Sequence, residues 1–241
     1  VKGIFMKKII SALFLMVFAS TGYVTNAVSM DISIGVAGTH AGFYGQGTEE
    51  LSDANDSNSG KSDTSEAGAF LDTYPSIFAE VGLGDVIDLG LEYVPQDIDT
   101  PENTNIQHDG GTSPHFSSGT KTTNTAKASF SDYFTFYANV NLPWYGLYLK
   151  GGYSMADVQT KEKLNTGSAY PDVDTEGWLG GFGISHTTDM GVFVRAEVTA
   201  TQWDDVSAVS TQNGQGNSDV KKVKITDMLS GQASLRIGKT F

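Results

Sequence analysis

Seven charged side chains stand mid-segment in a chain whose short segments otherwise alternate apolar and polar residues: Glu80, Asp88, Glu92, Lys150, Arg195, Glu197 and Arg236. All seven share the polar parity of their segment, and each lies roughly three to six residues from the nearest short turn. Four acids and three bases at one level neutralise most of one another's charge, and left unpaired in a closed interior they would be costly. The set supports two chemistries. One is a closed, salt-bridged plug; the other is a gate in which one base exchanges partners and opens a narrow pore. Adjacent pairs such as Ser185-His186, His108-Asp109 and Asp204-Asp205 offer less, because neighbours on a strand point to opposite faces. Asn55 to Glu66 echoes a calcium loop, with Gly60 at position six and Glu66 at twelve. Asn55 replaces the leading aspartate, however, and Ser57 and Ser59 replace the next two ligands.

The elements that must hold the seven charges have period two rather than 3.6. Eight strands are predicted near 31–45, 70–83, 86–95, 126–142, 146–158, 177–187, 191–204 and 223–241. In the third, Ile87, Leu89, Leu91 and Tyr93 oppose Asp88, Gly90 and Glu92. In the fourth, Phe130, Phe134, Phe136, Ala138 and Val140 oppose Ser131, Tyr133, Thr135, Tyr137 and Asn139. The connections alternate: Gly84-Asp85, 143–145 and 187–190 are short, while 46–69, 96–125, 159–176 and 205–222 are long. Short turns at one end and long loops at the other mark an eight-stranded, antiparallel, up-and-down transmembrane β-barrel, all-β in class. Closing the sheet with its apolar face outward removes the edges and satisfies every backbone group, as lipid demands. At about 3.3 Å per residue and a tilt near 40°, the seven charges fall in one layer on the order of 8–15 Å above the short turns. A one-residue slip would turn them to lipid, costing roughly 6–12 kcal/mol for the three bases alone. Asp132 and His40 sit on the apolar parity; the first is expected near the outer rim, and the second suggests a bulge or altered register in the first strand.

Composition narrows the partners. The 241 residues contain no cysteine, which excludes disulfides, thiolate metal sites, a Cys nucleophile and an N-terminal lipidated Cys. The net charge of −13 argues against nucleic acid, whose phosphates call for clustered Lys and Arg. Lys7 and Lys8 precede an apolar run from Ile9 to Ala19, followed by Thr25-Asn26-Ala27. That run is too short to span a membrane and suits a signal peptide over 1–27 that leaves 28–241 as the barrel domain. Removing Lys2, Lys7 and Lys8 with it takes the charge to −16.

Two stretches carry a resemblance. Gly177-Trp178-Leu179-Gly180-Gly181-Phe182-Gly183-Ile184, then Val192-Phe193-Val194-Arg195-Ala196-Glu197-Val198 and Trp203-Asp204-Asp205-Val206, resemble the sixth and seventh strands of the outer-membrane protein A-like and opacity-type barrels. Residues 143–153 resemble the fifth strand, and the ending Arg236-Ile237-Gly238-Lys239-Thr240-Phe241 is similar to the C-terminal signal read by the barrel-assembly machinery. Val198 and Ala200 depart from the family's usual tyrosines, and Lys239 from its usual apolar residue. The resemblance implies a porin-family integral protein of the Gram-negative outer membrane with periplasmic termini. Its partners would be outer-membrane lipid and, during biogenesis, the assembly machinery acting on Phe241.

The outer loops carry −5 (46–69), −3 (96–125), −2 (159–176) and 0 (205–222). An acidic rim serves solubility and leaves room for an extracellular ligand that composition does not name. The 96–125 connection, with His108 and His115, exceeds the usual ~12–15-residue limit for a structureless loop. Small outer-membrane barrels also include lipid A-modifying enzymes, which need a His near a Ser and a carboxylate at the outer leaflet. Ser185-His186 lies at the wrong end. The expectation is therefore a non-enzymatic barrel with a structural or surface-interaction role, without cofactor or metal. A small gated pore is the alternative, and a lipid A-modifying enzyme ranks last.

Overall fold

Period-two alternation dictates extended backbone with one face to each side, and the chain adopts it throughout. The computed structural model describes residues 30–52, 63–109, 120–163, 169–210 and 220–241. These form a single antiparallel sheet: β1 (Met30–Ser52), β2 (Asp63–Leu83), β3 (Ile87–Tyr93), β4 (Ile98–Asp99), β5 (Asn103–Asp109), β6 (Thr120–Asn141), β7 (Leu147–Lys163), β8 (Val173–Thr187), β9 (Val192–Trp203), β10 (Val206–Val209) and β11 (Val220–Thr240). β1 pairs with β2 on one side and β11 on the other, so the sheet closes. β4 and β5 continue the line of β3 along β6, and β10 continues β9 along β11. The result is the predicted eight-stranded, up-and-down, antiparallel barrel.

The short turns fall between β2 and β3, β6 and β7, and β8 and β9. Each holds a glycine in the left-handed region: Gly84, Gly146 and Gly191. At the opposite end the strands run on into stretches predicted as loops. β1 continues to Ser52 rather than 45, β2 starts at Asp63 rather than 70, β6 starts at Thr120 rather than 126, and β7 reaches Lys163 rather than 158. Half of the stretches predicted as long loops are thus strand. Above an apolar layer a strand needs no apolar face, so its sequence turns polar on both parities while the backbone ladder continues.

The outward face is apolar in a belt. Ile32, Ile34, Val36, Ile77, Leu89, Leu149, Phe182, Val194, Leu235 and Ile237 are all exposed. On β7 the belt runs from Leu147 to Met155, roughly 20 Å along the axis at 3.3 Å per residue and a 40° tilt. Aromatic residues mark its edges. Trp144, Tyr145 and Phe241 lie at the short-turn end; toward the other, Tyr93 stacks on Phe134 at 4.5 Å and Tyr153 meets Trp178 edge-on at 5.0 Å. Inside, close approach calls for glycine: a Cβ on Gly90 would stand 2.3 Å from the Tyr137 ring.

Three expectations about parity are corrected. His40 marks neither a bulge nor a slip, since β1 and β2 pair without a break from Met30 to Glu50. It faces outward, with Nδ1 2.8 Å from the Thr73 hydroxyl. Asp132 instead forms a bulge, at φ 49°, where the β6–β7 register shifts between Ser131 and Phe134. The extra residue reverses the faces beyond it. Phe130, assigned to the outward set, therefore pairs with buried Ile98 and Val158 on the inner face. A second bulge at Asp227, φ 53°, does the same in β11 and sends Ile225 inward opposite buried Val206.

Candidate functional site

The pairing aligns the seven charges without any loop contributing. Arg195 and Arg236 are cross-strand partners on β9 and β11, and Lys150 on β7 faces Asn139 on β6. Glu80, Glu92, Lys150, Arg195, Glu197 and Arg236 are buried inside the barrel, while Asp88 is partly exposed near the short-turn end.

They divide into two groups. In the first, Arg195 Nη1 contacts both Glu80 oxygens at 2.6 and 2.7 Å. Tyr137 donates its hydroxyl to Glu80 at 2.9 Å and Asn139 its amide at 3.1 Å. Asp88 lies 4.0 Å from Arg195 Nη2 and accepts from Asn141 at 3.2 Å. In the second group, Arg236 bridges Glu92 through Nη2 and Glu197 through Nε. Lys150 donates to Glu197 at 2.7 Å and stands 3.7 Å from Glu92, which also accepts from the Ser76 hydroxyl at 2.5 Å. The second group is neutral, with two acids and two bases. The surplus negative charge therefore belongs to the first group, where Asp88 alone retains appreciable contact with solvent. That arrangement limits the cost of burying an unmatched ion.

Aromatic rings complete the layer. The Lys150 ammonium sits 3.8 Å from the Tyr137 centroid, and Arg236 lies over Phe78 at 5.1 Å. Arg195 packs on Phe193 at 4.3 Å. Such stacking adds cation–π attraction and excludes water from the ion pairs. Arg236 Nη1 finds no acceptor among the described residues. The gap beside Lys150, Glu92 and Arg236 measures about 10 Å³, close to the least that holds one water. Chemically, the arrangement pairs both bases of the second group with acids contributed by other strands across the barrel interior.

Above this layer the interior is apolar. Ala41, Phe43, Tyr74, Val94, Ile98, Tyr133, Trp203 and Met228 form one buried cluster, with Phe70, Phe130, Val173 and Ile225 packed against it. Sequence reasoning missed this layer. Ile98 and Val173 lie in stretches assigned to loops, and Phe130 and Ile225 enter only through the bulges.

Other candidates separate. Ser185 faces inward toward Arg195, its hydroxyl accepting from Nε at 3.4 Å, whereas His186 is exposed. Asp205 pairs with Lys224 at 3.4 Å. His115 and residues 55–62 of the calcium-like stretch lie outside the described residues. Residues 1–27 of the expected signal peptide do as well. Phe241 is exposed at the barrel's lower edge, its amide donating to Ile32 at 2.9 Å. On the outer surface, Lys127 and Lys161 converge on Asp99 at 2.5 and 3.5 Å, and Lys161 also meets Asp97 at 2.8 Å. Hydrogen bonds from Lys127 and Ser129 hold the Asp99 carboxyl down at about 2.

No protein-family model matches the chain, and no curated protein matches it. Solved structures do. The outer membrane protein OprG from Pseudomonas aeruginosa is 12% identical over 91% of this chain and 99% of its own, with a TM-score of 0.48. Neisserial surface protein A is 11% identical over 84% and 97%, with a TM-score of 0.35. The attachment invasion locus protein of Yersinia pestis, in complex with the heparin analogue sucrose octasulfate, is 9% identical over 85% and 99%, also at 0.35.

Proposed function

We propose that this chain is an integral outer-membrane β-barrel protein with a structural or surface-interaction role. The observation that carries this reading is the exposed apolar belt around a closed barrel, edged by aromatic residues at both ends. In water such a surface would aggregate; in a bilayer it is the required solvent contact. The expected signal peptide over 1–27 would export the chain, and Phe241 would present it to the barrel-assembly machinery. The roughly 20 Å belt is short, which suits the thinner outer membrane.

The barrel acts without catalysis in this reading. Ser185 and His186 face apart, which supports a non-enzyme. The acidic loops meet the medium. A sulfated polyanion such as the one bound by the Yersinia pestis protein is a poor candidate here, because loop charges of −5, −3 and −2 repel it. The test is refolding of 28–241. A β-rich circular dichroism spectrum only in detergent or lipid, with a gel mobility that shifts on boiling, is expected; folding in plain buffer would refute the reading.

One observation favours a small gated pore as the second reading. Lys150 already stands between two carboxylates, at 2.7 Å from Glu197 and 3.7 Å from Glu92, so a short swing exchanges its partners. Planar-bilayer recording decides. Silence supports the closed barrel; discrete steps altered by Arg236→Ala support the pore.

A further inference from the structure

The outer half of the lumen holds a cavity of about 460 Å³, within the ~300–1,000 Å³ range of small-molecule sites. Phe43, Phe70, Phe130, Val158, Trp203 and Met228 line it, from six different strands. Phe43, Phe70 and Phe130 form an aromatic wall, with centroids 4.8, 5.6 and 6.4 Å apart.

Two features separate this region from a plug. First, the large side chains are aimed there at a cost. Both β-bulges carry a non-glycine residue at positive φ, Asp132 and Asp227. Their effect is to turn Phe130 and Ile225 from the outer face into the cavity. Bulges that re-aim a side chain gather beside functional sites. Second, the smaller lining residues leave the space open instead of filling it. A Cβ built on Gly68 meets nothing within 4 Å. In the charged layer below, by contrast, the gap beside Lys150, Glu92 and Arg236 measures about 10 Å³.

We propose that this vestibule is a binding site for an uncharged, apolar small molecule. Charge sets the class. Among the described residues that line the cavity, exposed Glu66 is the one acid or base apart from the Tyr44 phenol, and none is a Lys or Arg that would pair an anionic ligand. Thr100 and Asn103 are the other polar side chains of the lining, enough to orient a neutral molecule without demanding a charge. Trp203 is tethered for this role, its indole N–H donating to Ser230 at 3.0 Å, which keeps the ring's flat face free of polar obligations.

The experiment uses the refolded mature chain in lipid nanodiscs with Trp144→Phe and Trp178→Phe. Those two tryptophans are exposed on the outer wall, so the background leaves Trp203 alone of the three. The probe is neutral N-phenyl-1-naphthylamine, read by energy transfer from Trp203. A saturable component at one probe per barrel is expected, riding on a linear signal from probe dissolved in lipid. Gly68→Phe, which fills the cavity, should weaken that component at least tenfold while the heat-shifted gel mobility is kept. Ala128→Phe, filling from β6, should do the same and stands in should the first variant fail to fold. Anilinonaphthalene sulfonate, similar in its rings but anionic, should bind at least tenfold more weakly. A purely linear signal, or a saturable one that both filling substitutions leave unchanged, would overturn the site. Equal binding of the anionic probe would overturn its ligand class.

Discussion

Replacing Arg236 by Gln is the sharpest test of the interior geometry. The substitution removes one of two cations from a buried group of four and leaves Glu92 and Glu197 sharing Lys150. Breaking a buried ion pair by deleting one partner costs about 3–5 kcal/mol, mostly because the remaining charge has lost its counterion. The distances then rank the rescues. Arg236→Gln with Glu92→Gln keeps Lys150 and Glu197 as a neutral pair at 2.7 Å. Arg236→Gln with Glu197→Gln leaves Lys150 facing Glu92 at 3.7 Å, a longer pair. The first double variant should therefore recover more stability, with a coupling of about 2 kcal/mol or more, and the second less. The assay is urea unfolding in lipid vesicles, followed by the heat-modifiable gel shift. A loss under about 1 kcal/mol for the single variant, or strict additivity in both doubles, would refute the ion-pair account. Better rescue by Glu197→Gln would refute the assigned partners.

Further outcomes follow from the same geometry. Leu235→Arg, at an outward position 67% exposed, should destabilise the barrel by about 2–4 kcal/mol in bilayers if that face meets lipid, measured by the same unfolding assay. Gly90→Ala should cost about 1–3 kcal/mol because its methyl group would meet Tyr137, whereas Gly231→Ala, with nothing within 4 Å, should be close to neutral. Asp132→Val should destabilise by about 1–3 kcal/mol through its positive φ, and Asp132→Gly should be neutral or slightly stabilising; equal losses would argue against the bulge. For Asp99 the folded carboxyl lies at about 2 against an ordinary 3.8. Its depressed value means that the contribution is complete above 3.8 and is lost as pH falls toward 2. Hydrogen exchange at Ala128, whose amide donates to Thr100 at 2.9 Å, should accelerate in that window and not between pH 5 and 7.

The sequence alone determined the strands, their order, the end that carries the short turns, and the inward parity of Glu80, Glu92, Lys150, Arg195, Glu197 and Arg236. Side-chain period is a local property, and one-sided burial leaves it written in every segment. Tertiary structure decided three things. The partners of each ion were set by closure, which brings Lys150 on β7 to Glu92 on β3 and Glu197 on β9, pairs that share no stretch of sequence. The true strand ends were set by ladder hydrogen bonds, which impose no apolar pattern beyond the belt, so β5 and β10 look like loop. The apolar vestibule was set by two single-residue bulges. Asp132 breaks the apolar parity of its strand, but so does His40, which marks no bulge, because a bulge exists only as a mismatch between two paired strands. Beyond each bulge the same alternation continues with its faces exchanged, and that reversal carries Phe130 and Ile225 into the lumen.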